Sequence, residues 1–348
     1  MTDRQSNIEL FRIVAIFCIL LEHCFGWFLS IRGVNSLMDA GWGLGITRAT
    51  ILSATCIGVN CFCLISGYFG LQLKGRSLLN IFLILFAFYV GCYMVDALAI
   101  QHHFSWHQLL RQSLAFSREN WFVQCYLFLM LLSPVLNTYV EHTQPKYQLW
   151  FILGLSAAAC YFGCIHQSTY FYFNHGYSIT SFILVYLIGR YLRIAGTEQL
   201  ASIKTLWLVL AWAVMVIIGA AGRLLWPTKE VPLLDDYCSP IQLLQATLLF
   251  VIFTRMRIKN RAVNWLAGSG LAVFVFHTIA PVFNLWSQYE ANLYASNGGG
   301  CFVIISFALC VSVFLTATFL DKIRGWVASP ILYAYDRLEN KWQSRKIK

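Results

Sequence analysis

The chain has 348 residues, of which 59% are hydrophobic and 11% charged, with a formal net charge of +10 and a mean hydropathy of +0.64. A soluble domain carries roughly 25% charged residues, so the composition excludes a large globular protein and points to a membrane protein. Apolar blocks of about 18–23 residues match a helix crossing a ~30 Å hydrocarbon core, and the alternating segments of about ten residues expected of a β-barrel do not occur in the sequence.

The predicted fold class is all-α, a polytopic membrane protein of ten transmembrane helices. Spans are predicted at residues 8–30, 48–70, 77–100, 121–140, 147–165, 179–195, 203–222, 240–254, 264–286 and 300–320. Residues 1–320 then form one transmembrane domain, and residues 321–348 a basic tail at the inner surface. With the N-terminus inside, alternate loops collect Lys74, Arg76, Lys146, Arg190, Arg193, Lys204, Arg255, Arg257, Lys259 and Arg261 on one side, and the tail adds more. The other side receives only Arg32, Arg48, Arg111, Arg118, Arg223 and Lys229. This positive-inside bias predicts that both termini are cytoplasmic, and it accounts for the net charge without a nucleic-acid partner. The first span carries Arg12, Glu22 and His23 and lacks a small-residue cleavage site, so it is not expected to be a cleavable signal peptide. The 12 cysteines lie mostly in apolar segments, and none has metal-ligand spacing, so no metal is expected.

In the first span, Arg12 and His23 lie ten residues apart. Eleven helical steps bring His23 to within ~20° of the Arg12 face and ~16 Å further along, so both ionisable groups share one stripe. Such groups inside a membrane are costly and mark candidate functional sites. A neutral imidazole there can take a proton from an attacking hydroxyl and return it to a leaving group. Glu22 points ~100° away and is expected toward the outer interface. In the second span, Ser66-Gly67 serves either as a close-packing element or, less simply, supplies a nucleophile, although no strand precedes it to build a nucleophile elbow. Where the third loop enters the fourth span, Glu119, Trp121 and Tyr126 are either interfacial belt residues or a sugar-binding group, with aromatic faces for a pyranose and polar groups for its hydroxyls. The inner arginines Arg76, Arg190, Arg255 and Arg257 are explained by topology, or a subset binds the phosphates of a nucleotide-type cofactor. His277, near the middle of the ninth span, is a second intramembrane histidine, either functional or bonded to a facing helix.

Taken in order, these segments resemble the acyltransferase 3 family of integral-membrane acyltransferases. Ser6 to Arg12 and on to His23 is similar to the family's opening motif of a basic residue and a histidine ten residues apart. Phe62 to Tyr68 resembles its Phe-x-x-x-Ser-Gly-Tyr/Phe element, Trp121-Phe122-Val123 its Trp-Phe-Leu/Val element, and Tyr186 to Arg190 and His277 further positions. The resemblance implies transfer of an acyl group, most often acetyl from acetyl-CoA and sometimes succinyl, to a hydroxyl of a cell-surface polysaccharide or its lipid-linked precursor. It implies a bacterial inner-membrane location and a functional role for Arg12 and His23. Some relatives add an extracytoplasmic domain. Here the transfer is expected to be completed by the membrane domain or a partner. The competing expectation is a transporter or flippase of a lipid-linked glycan, against which count the missing inverted repeat and the scarcity of unwound mid-span segments.

Overall fold

The computed structural model describes residues 5–39, 41–113, 120–226, 231–296 and 299–346, and among these every regular element is helical. In chain order the helices are α1 (Ser6–Ser30), α2 (Trp42–Phe69), α3 (Gly75–Ile100), α4 (Trp106–Ser113), α5 (Trp121–His142), α6 (Pro145–Ile165) and α7 (Ile179–Gln199). They continue as α8 (Thr205–Leu225), α9 (Pro232–Thr254), α10 (Arg261–Ala267), α11 (Gly270–Thr278), α12 (Ala280–Ser296) and α13 (Gly300–Lys346). Among the described residues nine single helices are long and apolar enough to cross a membrane, and ten crossings result if α11 and α12 count as one.

Helix α1 is the centre of the bundle. Ile8, Phe11, Ala15, Ile16, Ile19 and Leu20 are buried along it, and the Phe11 ring meets those of Phe250 and Phe253 on α9 at 5.3 and 5.2 Å. Lipid supplies no hydrophobic drive between helices, so close backbone approach must do that work. Helices α2 and α7 provide it. A Cβ on Gly67 would collide with the carbonyl oxygen of Tyr186, and one on Gly189 would come within 2.9 Å of the Tyr68 nitrogen. Gly67 thus has the packing role that its place in the second span suggests.

The ninth predicted span is not one rod. It is divided into α10, α11 and α12, and α12 turns by 73° from α11. Pro281 explains the stop. Continued as a helix, its ring would clash with the carbonyl of His277, and it has no N–H to donate. Ile279 accordingly takes an extended conformation, with φ −69° and ψ 132°. The break leaves His277 in the last turn of α11, beside the bend.

The last span and the basic tail form one helix. Helix α13 has 47 residues. At 1.5 Å per residue that is ~70 Å, about twice the hydrocarbon thickness. Its distal part runs beside the start of α3, where Arg76 pairs with Asp336 at 2.9 Å and Arg324 donates to Asn80 at 2.9 Å.

Candidate active site

On the face opposite the N-terminus, the ends of α1, α8 and α11, the beginnings of α2, α5, α9 and α12 and the segment before α7 surround a cavity of about 1290 Å³. Its deep wall carries His23, which lies at the first position of a π-helical turn, His23–Trp27, set into α1. Such single turns insert a residue into the helical register and recur at functional sites. Here the turn also brings Trp27 against the His23 ring, with centroids 4.7 Å apart.

The two intramembrane histidines meet. Nδ1 of His23 is 3.0 Å from Nε2 of His277, and Nδ1 of His277 is 2.9 Å from the carbonyl oxygen of Val273. The proton positions follow from the partners. A carbonyl only accepts, so His277 Nδ1 carries the hydrogen. Neutral His277 then has a bare Nε2, which must accept from Nδ1–H of His23. This chain leaves the lone pair of His23 Nε2 unshared. The Glu22 carboxylate lies 3.5 Å from that nitrogen. A proton arriving at Nε2 would therefore create an imidazolium held on one side by His277 and faced on the other by an acid.

Glu22 does not face the outer interface, as its angle on the helix suggested. The cavity wraps round the end of α1, so neighbouring residues line two of its walls: His23 faces α11, and Glu22 lies within electrostatic reach of Arg223 and Asp235. Arg223 on α8 donates to Asp235 at 2.6 Å and to the Ser53 hydroxyl at 2.7 Å. At the mouth, Nδ1 of His175 is 3.0 Å from the Asp236 carboxylate. Three aromatic rings complete the wall. Trp121 lies nearly parallel to Tyr237, 20° between planes and 6.2 Å between centroids, and meets Tyr177 edge-on at 4.6 Å. Carboxylates, imidazoles and flat rings in one open cavity suit a polyhydroxylated ligand. Of these residues Trp121, His23 and His277 stand out in the sequence. Arg223, Asp235, Asp236, His175, Tyr177 and Tyr237 read there only as loop charges and belt aromatics.

Arg12 is held elsewhere. Its Nη1 is bound to Glu9 at 2.8 Å, one turn back on α1. Its stem lies along Gly270 at the start of α11, seven residues before His277, and its charge reaches the Tyr126 hydroxyl. Ser66 donates to the carbonyl of Phe62 at 3.0 Å, with its hydroxyl 3.5 Å from that of Tyr126. Arg12, Ser66 and Tyr126 thus form a polar group nearer the N-terminal face. Phe122, in contact with Phe62 at 6.2 Å and Phe274 at 4.6 Å, lies between it and the cavity. Glu119 lies outside the described residues.

The four inner arginines are not gathered into one site. Arg76 pairs with Asp336 on α13. Arg255 donates to the carbonyls of Leu200 and Ile203, both at 2.6 Å, and lines a second cavity of about 570 Å³ on the N-terminal face with Tyr68, Thr197, Lys204 and Thr205. Arg190 packs its guanidinium against Gly70, and its buried Nε has no hydrogen-bond partner. Arg257 is exposed.

Fold and cavity together define a multi-pass membrane protein whose central helix brings one histidine of a buried pair to the wall of an open cavity. The chain belongs to the acyltransferase 3 family, whose acyltransferase-domain model matches residues 5–319, and it is a membrane acyltransferase. Neither a curated protein nor a solved structure matches it.

Proposed function

We propose that the protein transfers an acyl group, acetyl from acetyl-CoA, to a hydroxyl of a cell-surface polysaccharide or of its lipid-linked precursor, and that it works in the bacterial inner membrane with the N-terminal face in the cytoplasm. One observation carries this reading: His23, its Nδ1 paired with His277, lines a cavity walled by aromatic rings and carboxylates, which leaves Nε2 as the nitrogen available to take a proton. The acceptor sugar stacks against Trp121 and its neighbours and presents a hydroxyl to Nε2. As the hydroxyl oxygen attacks the thioester carbonyl, its proton passes to His23. The tetrahedral intermediate then expels the thiolate, and His23 returns the proton to sulfur. The products are the O-acyl sugar and free coenzyme A, with no net gain or loss of protons. An acyl-imidazole on His23 is the covalent variant of the same step.

The donor approaches from the N-terminal face past Arg12, Ser66 and Tyr126. Arg12 supplies positive charge near the donor end. Of the four inner arginines, Arg190 and Arg257 are the ones left for phosphate, because Arg76 and Arg255 are already engaged with protein acceptors. The Phe62–Phe122–Phe274 layer separates donor and acceptor compartments, so the pantetheine arm must pass it for the two substrates to meet.

The break between α11 and α12 is the one feature that favours a transporter, since discontinuous helices line many transport sites. Incubating the purified protein with acetyl-CoA and a glycan acceptor separates the two readings. An acyltransferase releases coenzyme A thiol in proportion to the acyl mass gained by the glycan, and a flippase releases none.

A further inference from the structure

Beneath the aromatic wall of the cavity, two cysteines from distant parts of the chain lie side by side. Cys164 is in the last turn of α6, and Cys238 is in the irregular segment that precedes the regular part of α9. Their sulfurs are 3.7 Å apart, and both residues are buried. The segment bearing Cys238 is wedged into place by two glycines. A Cβ on Gly163 would come within 2.8 Å of the Cys238 sulfur, and one on Gly176, which has φ +96°, would come within 2.9 Å of the Cys238 nitrogen. The same segment supplies Asp236 and Tyr237 to the cavity wall.

We propose that Cys164 and Cys238 form a disulfide in the mature protein, tying the Asp236–Tyr237 wall to α6. A disulfide requires ~2.05 Å between sulfurs, so each has about 0.8 Å to move from its present place. The location suits the chemistry. Both residues lie on the face opposite the basic loops, which the charge bias assigns to the oxidising side of the membrane. Oxidation proceeds by exchange with a disulfide-carrying oxidase. One cysteine thiolate attacks the donor disulfide to give a mixed disulfide, and the second then displaces the donor. Two thiols lose two protons and two electrons, and the donor leaves as a dithiol. This occurs before the segment closes over α6, because the finished fold buries both sulfurs.

Asp236 lies with the two sulfurs in a group whose ligand atoms are all within 4.8 Å of one another, which raises a metal ion as the competing occupant. A closed structural site takes four ligands. Among the described residues this group has three, and the Asp236 carboxylate is already bound by His175. Cys24 and Cys310, 3.4 Å apart, both lie within helices, α1 and α13, whereas Cys238 belongs to an irregular segment that a disulfide would tether.

The test uses the full-length protein extracted without reductant, with free thiols blocked by N-ethylmaleimide under denaturing conditions. Non-reducing digestion and mass spectrometry are expected to yield one peptide pair joined through Cys164 and Cys238, two hydrogens lighter than the sum of its parts and separable by dithiothreitol. Recovery of both cysteines with maleimide attached overturns the proposal, as does one equivalent of bound metal with both thiols free. Melting temperatures give a second measure. Cys164→Ser, Cys238→Ser and the double variant are expected to fall by the same amount, equal to the drop that dithiothreitol causes in the wild type. Independent, additive drops would mark two packed thiols and contradict the tether.

Discussion

Nδ1 of His23 lies 3.0 Å from Nε2 of His277, although the two residues are 254 positions apart in the chain. Helix α1 fixes one ring and the last turn of α11 the other. The bend at Pro281 matters because it ends α11 at the depth where His277 can reach His23. Through His277, the carbonyl of Val273 sets the tautomer of His23 and so decides which nitrogen faces the acceptor.

His277 is therefore a positioning residue. His277→Ala removes the acceptor for the His23 Nδ1–H and frees that ring to turn. Steady-state kinetics should show kcat lowered about 10²-fold, a typical general-base contribution, with the KM for the acyl donor little changed. His277→Gln keeps an acceptor on a side chain of similar reach and should recover part of the loss. Equal activity in wild type and His277→Ala would mean that the pair has only a packing role.

The packing of α2 against α7 allows no side chain at its centre. Gly67→Val places atoms where the Tyr186 carbonyl lies, and folded protein should fail to accumulate in size-exclusion profiles of detergent extracts. Gly91→Ala, on an α3 surface with no neighbour within 4 Å, is the matched control and should leave the profile unchanged.

Arg223 and Asp235 form an ion pair in which the guanidinium side chain is only 9% exposed. Arg223→Met leaves Asp235 beside Glu22 without its counter-charge. Because Asp235 is partly open to solvent, the expected cost is about 3 kcal/mol, at the lower end of the range for breaking a buried pair. Thermal unfolding should show a clear drop for Arg223→Met, and the double variant with Asp235→Asn should recover much of it. A double variant no better than the single one would mean that the charge pair is not what the substitution disrupts.

Trp121 puts an indole ring on the cavity wall beside Tyr177 and Tyr237. Trp121→Ala should raise the acceptor KM about tenfold, equivalent to ~1.4 kcal/mol, while kcat changes less. Thiol-release assays over a range of glycan concentrations measure the two constants separately.

Much of this architecture can be read from the residues in advance. Charged and imidazole groups stand out against an apolar background, so Arg12, His23 and His277 are visible as candidates, and the run lengths place the helices. What cannot be read is pairing. Nothing local in Phe276-His277-Thr278 says that its partner is in α1. The polar residues of the cavity are concealed for the opposite reason. Arg223, Asp235, Asp236 and His175 occur where loops are expected to be charged, and only the folding of those loops back over the helix ends turns them into a wall. The inner arginines show the same limit. Their shared side of the membrane is a statistical property of the loops, but Arg76 is held by Asp336 from the far end of the chain, and Arg255 by backbone carbonyls. The angle of Glu22 on an ideal helix misleads because a cavity at a helix end is not confined to one face. The bend in the ninth span is foreshadowed only by Pro281.

Proton transfer at His23 Nε2 is the central step of the proposed reaction, and His23→Gln tests it most directly. Purified wild type and variant are given acetyl-CoA and the glycan acceptor, with thiol release and acyl mass on the glycan followed together and thermal unfolding checked in parallel. The variant is predicted to melt with the wild type and to lose at least about 10²-fold in both signals. A correctly folded His23→Gln protein that acylates the glycan at the wild-type rate would contradict the account.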